Sequence, residues 1–184
     1  MPAQVHYRWL TAEDGPALLR IHRRAILLDG VRAYSPAMAH SWADGLVPEG
    51  YARAASAGEA IEVAELHGAV VGFCGVADDE IKGMYVDPGF KRLGVGRGLI
   101  LRAFDRIRSA GHGRAKVIAA LSGVGFYEAM GFRPVRGVRH ATRGGLAMPV
   151  LEMARELEPS APEPTARAAG PLTLLALRSA GGAG

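Results

Sequence analysis

Lys91-Arg92-Leu93-Gly94-Val95-Gly96-Arg97-Gly98 sets three cations among three glycines within eight positions. A chain with so little side-chain bulk lets backbone N–H groups close on a phosphate. A helix beginning behind it adds about half a positive charge. The chemistry this predicts is pyrophosphate binding. Spacing then separates the known phosphate loops. A Walker A loop needs lysine and a hydroxyl after its second glycine, but Val95-Gly96 follows Gly94. A dinucleotide fingerprint needs a third glycine three places after the second, and Leu99 stands there.

The flanking residues supply the elements that must hold such a loop. Ile81, Met84, Tyr85 and Val86 make an apolar strand headed by Glu80, and Asp87-Pro88-Gly89 ends it with turn chemistry. From Gly94 the period changes. Leu99, Ile100, Ala103, Phe104 and Ile107 recur at helical spacing, leaving Arg97, Arg102, Asp105, Arg106 and Arg108 on the wet side. The broken apolar alternation at Met84-Tyr85-Val86 suggests a β-bulge, which would free a backbone N–H.

Val86, Pro88, Lys91, Gly94 and Gly96 together resemble the cofactor motif of the GNAT N-acetyltransferase family. Lys91 stands where that family has Arg or Gln, and Arg92 where it often has Gly. Downstream, Ser122-Gly123-Val124-Gly125-Phe126-Tyr127-Glu128-Ala129-Met130-Gly131-Phe132 resembles its second signature, a short helix with Phe-Tyr that closes on Gly-Phe. One helix and one strand (Lys116 to Ala120) separate the two, in the family's order. The resemblance implies an α+β fold, with a mixed, mostly antiparallel sheet carrying helices on both faces and splayed around the cofactor site. It covers about residues 1–157.

The same resemblance implies acetyl-CoA as co-substrate, without a metal, on Val86, Lys91, Arg92, Gly94, Val95, Gly96, Arg97 and Ser122. It implies that the Val86 backbone faces the thioester oxygen and that Tyr127 is the general acid. A phenol of pKa near 10 can protonate a departing thiolate whose thiol has a pKa near 8.5. Glu80 is the candidate base, since many relatives carry a glutamate in this strand. An acid there could equally bind a cationic substrate or end the strand without function. Ala120 occupies the position where relatives often place Asn or Ser against the cofactor, and Ser122 could replace that contact. The segment after the first helix walls the acceptor site in this fold, making Tyr34 and Trp42 pocket candidates or simply packing aromatics.

Around this centre the chain divides readily. Val5 to Leu10 reads as a strand. Thr11 with Asp14 three residues on begins a helix whose buried stripe is Leu18, Ile21, Ala25 and Leu28. Tyr34-Ser35-Pro36 turns the chain into a short helix from Met38 to Trp42, and Pro48-Glu49-Gly50 breaks it again. Ile61 to Leu66 and Ala69 to Ala77 form a hairpin around His67-Gly68, with Cys74 a buried small hydrophobe. Asp78 and Asp79 read as solvated loop residues. Arg133, Arg136, Arg139, His140 and Arg143 read as the solvated side of two closing strands, or as a basic rim for an acidic substrate. From residue 158 to 184 the chain turns Pro/Ala-rich, which predicts a disordered tail with a short apolar patch from Leu172 to Leu177.

Composition bounds the function. The 184 residues suit one domain, and 49% hydrophobic with 22% charged residues is ordinary for a soluble globular chain. One cysteine excludes an internal disulfide framework, and no Cys/His cluster has zinc spacing. A net charge of +4 does not by itself argue for nucleic acid, and the arginine cluster lacks interleaved aromatics. The N-terminus shows no signal-peptide pattern, and Ala69 to Ala77 falls far short of the roughly 18 residues that span a bilayer. The expectation is a cytoplasmic N-acetyltransferase, without nucleic-acid or membrane partners, monomeric or homodimeric, acting on a small-molecule or protein amine. The competing expectation is an acyl-CoA-binding sensor without turnover.

Overall fold

A computed structural model describes residues 4–158. The tail expected after residue 157, with Leu172 to Leu177, lies outside the described residues apart from Glu158. Among the described residues seven strands form one sheet: β1 (His6–Trp9), β2 (Ala60–Leu66), β3 (Ala69–Ala77), β4 (Glu80–Val86), β5 (Arg114–Ala120), β6 (Arg133–Ala141) and β7 (Ala147–Glu156). Their order is β1-β2-β3-β4-β5-β7-β6, antiparallel throughout except between β4 and β5. Five helices accompany them: α1 (Gly15–Asp29), α2 (Pro36–Ala43), α3 (Glu49–Ser56), α4 (Val95–Ser109) and α5 (Val124–Ala129).

The helices take both faces of the sheet, as the sequence predicts. The α4 stripe of Leu99, Ile100, Ala103, Phe104 and Ile107 is buried among Val71, Cys74, Val76, Ile81, Val117 and Met153. Fully burying each of the four larger side chains contributes about 1.5–3 kcal/mol. On the other face Leu18, Ile21 and Tyr51 pack with Ile61, Val63, Val70 and Phe73. The α1 stripe drifts from its expected course, because Leu28 is exposed and Ile26 is buried instead, against Ala39 and Ala43 of α2. The segment beyond Pro48 is not a break. It is α3, started by that proline, whose Tyr51 closes the second core.

Two local signals hold as read. The N–H of Met38 donates to Ser35 Oγ at 3.2 Å, capping α2. His67 and Gly68 both have positive φ, the geometry of a two-residue hairpin turn. The β-bulge is real but lies elsewhere. Gly75 pairs with Gly83 and Val76 with Ile81, so Lys82 is the extra residue, and register is regular from Met84 to Val86. A strand half buried along its length obscures the alternation from which the bulge was read.

The parallel pairing of β4 with β5 is short. Glu80 aligns with Lys116 and Ile81 with Val117, and nothing pairs beyond them. Asp79 fastens this end: its carbonyl accepts the Lys116 N–H at 2.8 Å and its carboxylate meets Lys116 Nζ at 2.6 Å. Asp79 is therefore a paired residue, not a solvated one.

At the start of α1, Arg8 donates to both oxygens of Asp14, at 2.7 and 2.8 Å, and to Glu65 at 2.9 Å. The Arg8 guanidinium holds the Asp14 carboxyl down at about 2. A carboxylate depressed on folding stabilises above its unfolded pKa of about 4, and that stability is lost as pH falls through 2. Asp14→Asn should therefore lower stability at pH 7 by on the order of 1–2 kcal/mol. Urea midpoints of the two proteins should converge between pH 4 and pH 2, and a gap independent of pH would refute the ionic origin.

Candidate active site

Beyond Ile81 and Val117 the two strands diverge, and a cavity of about 750 Å³ opens between them. Its floor is β4. The Asp87 N–H donates to Val71 O on β3 at 2.8 Å. Alternation along a strand then turns the N–H groups of Tyr85 toward β3 and of Val86 and Met84 toward the gap. The free Val86 N–H expected from a bulge thus exists, but divergence of the strands frees it. Met84 N–H was not foreseen, because only the paired edge of β4 reveals it.

At one end of the gap stands the glycine loop. Asp87 Oδ1 accepts the Gly89 N–H at 2.9 Å, and its other oxygen pairs with Arg24 of α1 at 3.2 Å. Gly94 takes φ +81°, which glycine tolerates, and turns the chain into α4. The first α4 hydrogen bond runs from Gly98 N–H to Gly94 O at 2.9 Å. The N–H groups of Val95, Gly96 and Arg97 therefore have no intrahelical acceptor, and no side chain caps them. Bare donors, the helix dipole and the cations of Arg92 and Arg97 make this end of the cavity strongly anion-seeking.

Two of the basic residues behave unexpectedly. Lys91 is ion-paired with Asp29 at the end of α1, so it anchors the loop as well as lining the cavity. Arg92 sits at φ +66°, the left-handed region that explains why a glycine suits this position.

Val86, Lys91, Arg92, Gly94, Val95, Gly96, Arg97, Ser122, Tyr127, Glu80 and Trp42 all line this one cavity. Tyr127 projects from α5 with its ring edge-on to Phe126 and Phe132, only 7% exposed. Burial pushes its phenol well above the ordinary value, so the proton is retained at neutral pH. Glu80 lies at the closed end, its carboxylate 3.1 Å from Lys82 Nζ. Ser122 is at the exposed mouth and Ala120 on the wall.

Tyr34 is the exception. Its hydroxyl donates to Pro149 O at 2.7 Å and accepts the Leu121 N–H at 2.7 Å, and its ring packs edge-on against Trp42. It supports the wall from behind and does not line the cavity, because both backbone groups claim its polar end. His140 and Arg143 do line it, whereas the sequence left their cluster as either a solvated strand face or a basic rim. Elsewhere β6 is exposed along nearly its whole length, as read. Among the described residues no cluster of His, Cys, Asp and Glu could hold a metal ion, and no helix is long and apolar enough to cross a membrane.

Residues 57–134, from the end of α3 into β6, match the family model described as an acetyltransferase (GNAT) domain. That stretch of the chain is similar to a GNAT domain. No curated protein matches it in sequence. Among solved structures it resembles a GCN5-related N-acetyltransferase from Rhodopseudomonas palustris, with 22% identity and TM-score 0.79 over 85% of this chain and 98% of that one. PaiA N-acetyltransferase from Thermoplasma acidophilum, solved with coenzyme A, gives 19% identity and TM-score 0.66 over 83% and 99%. YncA from Salmonella typhimurium, solved with acetyl-CoA as its cofactor, gives 20% and 0.64 over 88% and 99%. These likenesses establish the fold of the GNAT domain, including its mixed and mostly antiparallel sheet.

The glycines of the loop divide into different tasks. A Cβ at Gly96 would make ordinary contact with Phe126 at 3.4 Å, whereas one at Gly98 would fall 1.8 Å from the Tyr7 hydroxyl. Gly98→Val should therefore cost about 1–3 kcal/mol by overpacking. Gly96→Glu, with an acid at a helix N-terminus, should melt close to wild type. Thermal unfolding of both variants checks this, and equal losses would contradict the division.

Proposed function

We propose that the chain transfers an acetyl group from acetyl-CoA to an amine, by direct attack with both substrates bound together. One observation carries this reading: a single cavity joins the bare N-terminus of α4, the unpaired N–H groups of Met84 and Val86, and the phenol of Tyr127. The helix end binds the pyrophosphate. The strand N–H groups receive the charge that grows on the thioester oxygen, where fixed donors act most strongly. The amine nitrogen forms its bond to the acetyl carbon as the carbon–sulfur bond breaks. Its proton passes through water to Glu80, and Tyr127 returns a proton to the thiolate.

The raised pKa of Tyr127 keeps the donor loaded but makes it a weaker acid than a free phenol. Its value lies in position, since proton transfer need occur only as negative charge collects on sulfur. A covalent enzyme intermediate is disfavoured on physical grounds. Cys74 is buried and its thiol pushed far up by desolvation, so it offers no thiolate. PaiA and YncA, bound to coenzyme A and acetyl-CoA, lend the same choice of donor by analogy.

Tyr127→Phe keeps the ring and removes the proton. Turnover measured as CoA release should fall about 10²–10⁴-fold, the usual worth of general acid catalysis, while calorimetric affinity for acetyl-CoA stays near wild type. Near-normal turnover with a lower melting temperature would make Tyr127 a packing residue. Gly96→Glu should in turn abolish acetyl-CoA binding while remaining folded, and unchanged affinity would remove the loop from the site. A wild type that binds acetyl-CoA yet releases none with any amine would leave only the sensor reading.

A further inference from the structure

The charges lining the cavity separate into matched and unmatched. Lys91 is balanced by Asp29, and Lys82 by Glu80. Arg92 and Arg97 belong to the glycine loop, where a pyrophosphate would balance them. Arg143 is left over. It stands on the turn between β6 and β7, across the gap from β4, and among the described residues no carboxylate lies within ion-pair distance of it. Nothing in the transfer chemistry uses it.

The turn that carries this arginine is held in place. Thr142, 6% exposed, donates its N–H to Leu146 O at 2.8 Å, and its Oγ1 accepts the Leu146 N–H at 2.9 Å. The same Oγ1 meets Ser41 Oγ of α2 at 2.6 Å, and Gly144 N–H donates to Ser41 O at 2.8 Å. A Cβ at Gly144 would lie 2.5 Å from Ser41 Oγ, so the turn sits directly on α2. One guanidinium nitrogen reaches only the Trp42 carbonyl, at 3.5 Å, leaving its other donors uncommitted. The neighbouring lining is apolar and aromatic: Trp42, Tyr85, Met148 and Val150. A guanidinium carried on a fixed turn beside such a wall is suited to a planar or tetrahedral oxyanion, which it can bind with two parallel hydrogen bonds.

We infer that the acceptor amine also carries an acidic group, a carboxylate or a phosphorus oxyacid, and that Arg143 binds it. The inference rests on the acetyl-transfer reading for the word acceptor, but the acid site can be measured without turnover. The probes are L-methionine, L-phenylalanine and 4-aminobutyrate, each against its own carboxamide, with aminomethylphosphonate to distinguish the two acid types. Binding is read by calorimetry in the presence of CoA, and turnover by CoA release from acetyl-CoA.

Wild type should prefer at least one acid over its amide by about tenfold to a hundredfold, the worth of one charge-assisted hydrogen bond. In Arg143→Gln that ratio should fall toward one, and in Arg143→Lys it should be partly retained. Ser41→Ala keeps the arginine but loosens its turn, so the ratio should drop in part. Arg143 is exposed, and unchanged melting of its variants would confirm that they fold. Acids and amides binding alike, no probe binding at all, or a preference that survives Arg143→Gln would overturn the inference. Acid-selective binding without CoA release would sink the transfer reading and leave the anion site standing.

Discussion

The divergence of β4 and β5 is the constraint on which the rest of this molecule depends. Two parallel strands share only two residue pairs and then separate, held at the closed end by the grip of Asp79 on Lys116. Divergence leaves the backbone donors of Met84 and Val86 without partners in the protein. Such groups are costly unless water or a ligand satisfies them. The core therefore cannot close here, and the sheet becomes two arms joined at one end. The arm bearing β4 supplies the glycine loop, and the arm bearing β5 and β7 supplies Tyr127 through α5 and Arg143 through the following turn.

The arm bearing β4 is stiffened by polar groups that do no chemistry themselves. Asp87 ties the loop to Arg24, Asp29 ties it to Lys91, and Arg8 binds β1, β2 and the head of α1 through Asp14 and Glu65. Beneath the floor, His22 stacks on Tyr85 at 3.8 Å between ring centroids and contacts the Tyr51 hydroxyl at 3.1 Å. Burial drives the His22 pKa down to about 3, so this cluster stays uncharged across the physiological range. It supports Tyr85 as an apolar wall. The cavity thus keeps its net positive character in two regions, the glycine loop and Arg143.

Much of the site was readable because it depends on local backbone geometry. Gly94 at positive φ and the uncapped α4 terminus follow from a few adjacent residues, as do the Phe126-Tyr127 helix and the His67-Gly68 turn. Period alone marked the buried face of α4. Misreadings arose where neighbours far along the chain decide. Asp79 looks solvated until Lys116 arrives beside it. Of the two readings left open for Tyr34, pocket wall or packing aromatic, only Pro149 and Leu121 decide for packing by claiming its hydroxyl. The α3 helix went unseen because a proline and a glycine stand at its start, where a proline is in fact well tolerated.

Hydrophobic period, glycine positions and turn residues act over one or two elements, so the sequence by itself determined the strand, glycine loop and helix at the centre. The fold type followed from the family resemblance that its motifs carry. A motif of fixed spacing also placed Tyr127 on the short helix that faces the cavity. Only the tertiary structure decided which backbone N–H groups are free, because that requires knowing where β5 leaves β4. It alone decided that Arg143, more than forty residues beyond the glycine loop, shares a cavity with it. Charges have no period and no local signature. Whether a guanidinium is solvated, paired or waiting for a ligand depends on which carboxylates folding brings near it, and for Arg143 none comes close among the described residues.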